Sequence, residues 1–239
     1  GVAEIAKEFS IRHFPEIVKN DEGTPQTDSV FAQAIDAAGT PLMMYVNSDI
    51  ILNSSLPETI QRLLQMRLGS FLSIGQRTDF DQEELLTFSN SDWEQELLAR
   101  VNQSGDLASI LCKDYFIFPR ERFRDMPAFS IGRGNWDNWM VAETVKENFP
   151  VIDVTSWLFA GHQNHGYAHA GGRMKAYVTG AEAKRNKQLA GGSHYVSGSV
   201  ATHRLTKRGV LKKNGLFPMF SFIWDFPRAA KLVYRLWKQ

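Results

Sequence analysis

The chain has 239 residues, 43% of them hydrophobic and 22% charged, with a net charge of +1 and a single cysteine, Cys112. That length supports a sizeable core in one α/β domain, one cysteine excludes an internal disulfide, and no run reaches the roughly 18 consecutive apolar residues of a spanning helix. With no basic-then-apolar leader at its start, the chain reads as a cytoplasmic protein, soluble or held peripherally at a membrane.

In chain order, Val2, Ile5, Ala6 and Phe9 carry the apolar spacing of a helix. A loop at 21–25 leads to a second helix, with Asp28 as its cap and Phe31, Ala34, Ile35 and Ala38 on one face. Pro41 precedes a strand-length apolar run, Leu42 to Val46, and Ser55 with Pro57 close behind opens a helix that turns Ile60, Leu63, Leu64 and Leu68 inward. Phe71 to Ile74, Tyr115 to Phe118 and Val151 to Val154 read as further strands. Strand, helix and strand at these separations predict an α/β fold over residues 1–202, a largely parallel sheet flanked by helices.

The charge is divided unevenly. From His203 to Gln239 nine Lys or Arg face one acid, Asp225, a net +8 that leaves −7 on residues 1–202. Residues 203–239 therefore read as a separate basic tail. Within it Arg228, Lys231, Arg235 and Lys238 recur at spacings of three, four and three, along one face of a helix. Together with the aromatic residues from Phe217 to Phe226, they make 216–239 suited to lying in an anionic membrane interface. The structural alternative is a C-terminal helix docked on the domain. Confinement of the cations to the tail argues against nucleic acid as a partner.

Three stretches carry chemistry. The first is Asn47-Ser48-Asp49, a polar triplet at the end of the Leu42 to Val46 strand. In a parallel sheet, ligands bind beyond the carboxyl ends of the strands, and a carboxylate there suits a hard divalent cation; a turn satisfying its own backbone amides is the plainer alternative. The second runs from Ser130 to Val145, where a loop with two glycines precedes a helical pattern, placing Asp137 in the first turn. Trp136 and Trp139 flank it and would suit a sugar ring, or ordinary core. Arg133 lies one turn earlier, able to pair with an anionic group or to stay solvated. The third runs from Asp153 to Gly172, where His162, His165 and His169 stand three and four residues apart. On a helix they would form one face and suggest a zinc hydrolase with three His ligands. Gly161, Gly166, Gly171 and Gly172 favour a glycine-rich loop that brings one His to an ion or phosphate.

Taken together, these stretches resemble the GT-A class of nucleotide-sugar-dependent glycosyltransferases (family 2-like), over roughly residues 20 to 170. The resemblance implies that Asn47, Ser48 and Asp49 match the short acidic motif that holds the donor diphosphate and a divalent metal, Mn²⁺ or Mg²⁺, with an amide in place of the first carboxylate. It implies that Asp137 is the general base of an inverting transfer, that Arg133 binds the donor, that Trp136 and Trp139 line the acceptor site, and that His162 or His165 joins Asp49 at the metal. Members of that class open with a strand, helix and strand that hold the nucleotide base, whereas this chain opens on a helix-like segment. The resemblance therefore implies a missing N-terminal piece, through truncation or in an unusual relative. The expected partners are a nucleotide-sugar donor and a glycan or lipid-linked acceptor. Two other classes stay open: the zinc hydrolase built on His162, His165 and His169, and a non-catalytic sugar- or lipid-binding module that keeps the fold.

Overall fold

Leu42–Val46 forms the strand β1 that its apolar run predicts. In the computed structural model, which describes residues 1–166, 172, 174–192 and 201–213, β1 is the edge of a six-stranded sheet. Its neighbours in order are β6 (Tyr115–Pro119), β3 (Leu72–Ile74), β7 (Val151–Asp153), β9 (His203–Thr206) and β10 (Gly209–Lys212). A second sheet has the order β2 (Ile50–Leu52), β8 (Ala160–Gln163), β4 (Thr78–Phe80) and β5 (Asp106–Leu107). The helices are α1 (Val2–Glu8), α2 (Thr27–Ala37), α3 (Ser55–Gln65), α4 (Trp93–Ser104), α5 (Trp136–Lys146) and α6 (Ala181–Leu189).

The fold is mixed α/β, and the expectation of a largely parallel sheet is corrected. Strand β6 runs antiparallel to both β1 and β3, whereas β3, β7 and β9 are parallel and β10 returns antiparallel to β9. The reason is the route of the chain. After β3 it builds β4, α4 and β5 of the second sheet, then re-enters through Asp114 and runs back as β6 between two strands pointing the other way. The carboxyl ends of β1, β3 and β7 therefore share one edge with the amino end of β6.

Strand β6 shows why its apolar run is continuous. Tyr115 and Ile117 pack with Leu63 of α3, Ile152 and Leu205, while Phe116 and Phe118 pack on the opposite face with Phe31 of α2 and Met140 and Val141 of α5. A strand covered on both faces has no polar side to alternate with. A third, smaller cluster joins Phe80 of β4 to Leu97 and Val101 of α4 under the second sheet.

The boundary drawn at 202/203 is also corrected. Residues His203–Thr206 and Gly209–Lys212 form a hairpin inside the main sheet, with Leu205 buried and the Trp157 indole N–H donating to its carbonyl at 2.9 Å. Arg204, Lys207, Arg208 and Lys212 are exposed on that hairpin, so their charge belongs to the solvent side of a strand pair. The segment 216–239, for which the membrane-interface helix is expected, lies outside the described residues. Among the described residues no helix is long and apolar enough to cross a membrane. Two smaller expectations also shift: Gln26 precedes α2 as its cap, with Asp28 in the first turn, and Leu64 of α3 faces solvent.

Candidate functional site

The register of β1 against β6 pairs Val46 with Tyr115, which sets the next residue, Asn47, opposite Asp114. The two are joined twice: the Asn47 backbone N–H donates to the Asp114 carbonyl at 2.9 Å, and its side-chain amide donates to Asp114 Oδ1 at 2.7 Å. Ser48 is exposed in the turn that follows, closed by the Ile50 N–H on the Asn47 carbonyl. That turn delivers Asp49 to the start of β2.

In the second sheet His162 is flanked by Ile50 on β2 and by Asp79 on β4. Its Nε2 lies 3.4 Å from Asp49 Oδ2, and its Nδ1 lies 3.0 Å from Asp79 Oδ1. His165, just past β8, brings its Nε2 to 2.8 Å from the same Asp49 oxygen. The ligand-type atoms of Asp49, His162 and His165 all lie within 4.8 Å of one another. His162 is buried, Asp49 half-buried and His165 exposed, so the cluster is closed behind and open in front. Asp49 Oδ1 is buried with no hydrogen-bond partner. An oxygen and two imidazole nitrogens, one carboxylate oxygen still unsatisfied, form a donor set that suits a divalent transition metal.

Burial alone would raise the Asp49 pKa, but hydrogen bonds from His162 and His165 outweigh it and hold the carboxyl well below its usual range. Burial would likewise depress His162, and the facing carboxylates of Asp49 and Asp79 reverse the sign.

Behind this cluster stands a chain of buried charge. Arg77 directs Nε to Asp79 Oδ1 at 2.7 Å and a terminal nitrogen to Asp114 Oδ2 at 2.6 Å. Next to Asp114, the buried Lys113 donates to Asn138 Oδ1 at 2.9 Å, in the first turn of α5. That helix starts after Asn135, which holds φ at 82°, a left-handed conformation that Asn tolerates. Asp137 follows. Burial raises its pKa, and the Lys113 ammonium opposes that rise. Tyr45, on β1, lies in the field of all three acids: burial raises its hydroxyl, and Asp114, Asp49 and Asp137 add to the effect. Its ring packs on Phe31, Phe116 and Trp136.

No protein-family model, curated protein or solved structure matches this chain.

The structure brings together Asp49, His162 and His165, with Asn47 opening the turn that carries Asp49; Asp137 lies in the first turn of α5, in the field of Lys113. The structure does not bring in the others. Trp136 is buried edge-on against Tyr45 and tilted on Phe116, with centroids at 4.9 and 5.7 Å, and Trp139 packs on Phe123 and Phe129. The expectation that they line an acceptor site is corrected to an aromatic core role. Arg133 is also reassigned: its Nε meets Glu182 Oε2 at 2.6 Å, with both side chains largely buried, so the guanidinium ties the loop to α6. The imidazoles at 162 and 165 sit on a strand and its following loop rather than a helical face, and Asp49 faces them; His169 lies outside the described residues. Sequence reasoning missed Tyr45, Arg77, Asp79, Lys113 and Asp114. Asp114 carried the one available signal, a charged residue directly before a fully apolar strand.

Proposed function

We propose that the chain is a glycosyltransferase of GT-A type, moving a sugar from a nucleotide-sugar donor to an acceptor hydroxyl of a glycan or lipid-linked molecule. The observation that carries this reading is the convergence of Asp49, His162 and His165 where β1 ends. A divalent ion held by those three residues, Mn²⁺ in preference to Mg²⁺ because two of the three donors are imidazole nitrogens, would neutralise charge on the departing diphosphate. Asn47 and Ser48 approach the donor from the same turn, the Asn47 side chain held by Asp114. Asp137 takes the proton of the acceptor hydroxyl as its oxygen bonds to the anomeric carbon and the diphosphate leaves. A carboxylate raised by burial is a stronger base than a solvated one, and Lys113 keeps it ionisable. Transfer with inversion follows from a single displacement.

The test is a thermal-shift series with sugar nucleotides, with and without Mn²⁺, because a ligand that binds the native state alone raises its stability. Release of nucleoside diphosphate is measured alongside. Asp49→Asn is expected to abolish the Mn²⁺-dependent shift with the fold intact. Asp137→Asn should keep donor binding and lower turnover by about two to four orders of magnitude. Unchanged Mn²⁺-dependent affinity in Asp49→Asn sinks the reading; binding with no turnover in the parent leaves a non-catalytic sugar-binding module. Stoichiometric zinc in the purified protein, with hydrolysis and no transfer, would favour the hydrolase instead.

A further inference from the structure

Asp79 is not among the three clustered ligand atoms, yet its Oδ1 sits 3.0 Å from His162 Nδ1, on the opposite side of the ring from the nitrogen that faces Asp49. The placement comes from the second sheet, where Asp79 on β4 is the register partner of His162 on the parallel strand β8. The carboxylate is itself fixed. Arg77 Nε meets the same Oδ1 at 2.7 Å, and Asp114 Oδ2 anchors the guanidinium from its other side at 2.6 Å. Arg77 is buried.

An imidazole offers a lone pair through Nε2 only when its proton is on Nδ1, and the partner of Nδ1 decides which tautomer is present. A carboxylate beside that nitrogen also orients the ring and strengthens it as a ligand. Here the approach is close but oblique: His162 Nδ1, like Asp49 Oδ1, has no well-aligned hydrogen-bond partner. Both unsatisfied atoms belong to the pair of residues that form the closed side of the cluster.

We propose that Asp79 is the positioning residue of the metal centre, holding His162 in the Nδ1–H tautomer with Nε2 turned toward the ion, and that Arg77 clamps Asp79 in place. The inference rests on Asp49, His162 and His165 being metal ligands. It adds that this site is built from both sheets, β1 and β6 holding Arg77's anchor and β4 and β8 holding the histidine.

The experiment uses the full chain and Mn²⁺ alone. Calorimetric titration compares the parent with Asp79→Ala, Asp79→Asn, Asp49→Asn and, as a charge control, Glu83→Ala on the exposed loop after β4. Asp79→Ala should weaken Mn²⁺ binding by about 10- to 100-fold, Asp79→Asn by less, because its amide oxygen still accepts from Nδ1–H, and Glu83→Ala should bind like the parent. Nitrogen-15 spectra of the metal-free imidazoles at alkaline pH should show His162 of the parent as the Nδ1–H tautomer and a shift toward Nε2–H in Asp79→Ala. A parent already in the Nε2–H form overturns the proposal, whether or not any variant folds. So does Asp79→Ala binding within twofold of the parent; if Asp49→Asn has lost binding in that same series, the metal site stands and only the role of Asp79 falls. A parent that binds no Mn²⁺ removes both.

Discussion

At the scale of single residues, Asn47 is an amide where the proposed donor site would take a carboxylate, and Asp114 supplies a physical reason. The Asn47 amide donates to Asp114 Oδ1 at 2.7 Å. An aspartate at 47 would place two carboxylate oxygens at that separation and remove the donor, and like charges at such distance cannot both ionise cheaply. Asn47→Asp is therefore expected to destabilise the protein by about 1–3 kcal/mol at neutral pH, the cost of an unsatisfied buried polar group. The sign with pH follows from protonation restoring the lost donor: the penalty is full at neutral pH, where both carboxyls are charged, and fades at acid pH, where one proton can bridge them. Denaturant titrations at neutral and mildly acidic pH check this, and equal penalties at both would contradict it.

At the scale of elements, two contacts hold the site's supports. Gly161 on β8 precedes His162, and a Cβ there would stand 2.8 Å from Phe80 Cε1 and 3.0 Å from Phe159 Cζ. Phe80 is locked among Leu97 and Val101 beneath the second sheet, so it has little room to yield. Gly161→Ala should cost about 1–3 kcal/mol by overpacking and should weaken Mn²⁺ binding by displacing the adjacent imidazole; a melting temperature equal to the parent's would count against the close packing. The loop before α5 is held differently. Asn186 of α6 donates to the carbonyls of Ser130 and Gly134 and accepts from the Ser130 N–H, while Glu182 of the same helix receives Arg133 and Asn20. Burial alone would raise the Glu182 pKa, but hydrogen bonds from Thr24, Asn20 and Arg133 win and lower it. A carboxyl with a depressed folded pKa contributes stability that is complete above its ordinary 4.5 and is lost as pH falls through the folded value. Glu182→Gln should accordingly lower stability at neutral pH and flatten the acid limb of the stability profile. An acid limb as steep as the parent's would show that the clamp does not titrate there.

At the scale of the whole molecule, the charge asymmetry is partly absorbed by the fold, since Arg204, Lys207, Arg208 and Lys212 decorate an edge hairpin. The cations from Arg228 to Lys238 fall in the segment proposed to meet an anionic membrane surface. Co-sedimentation with anionic liposomes should be stronger for the full chain than for one ending at Gly215, and should fall with added salt as screening grows. Equal sedimentation of the two removes the membrane reading and leaves the hairpin cations as the alternative source of attraction.

By itself the sequence determined the local elements whose signal is local. Leu42 to Val46, the helix opening at Ser55 and Tyr115 to Phe118 are read from runs and spacings, because a strand covered on both faces is continuously apolar and a helix on a sheet buries one side; that the helix stops at Gln65, short of Leu68, is not. Asp49, Asp137, His162 and His165 were legible as chemistry-bearing types beside turns. Strand β4 and helix α4 were not, since Thr78–Phe80 is too short to show a period and α4 is polar over most of its surface. Only the tertiary structure decided the direction of β6, the burial of Trp136, the capture of Arg133 by Glu182, and the meeting of Asp79, Arg77 and Asp114. Those facts depend on which strands become neighbours, and pairing between residues 37 to 162 positions apart, as for Arg77 with Asp114 and Asn20 with Glu182, leaves no periodic trace in the chain.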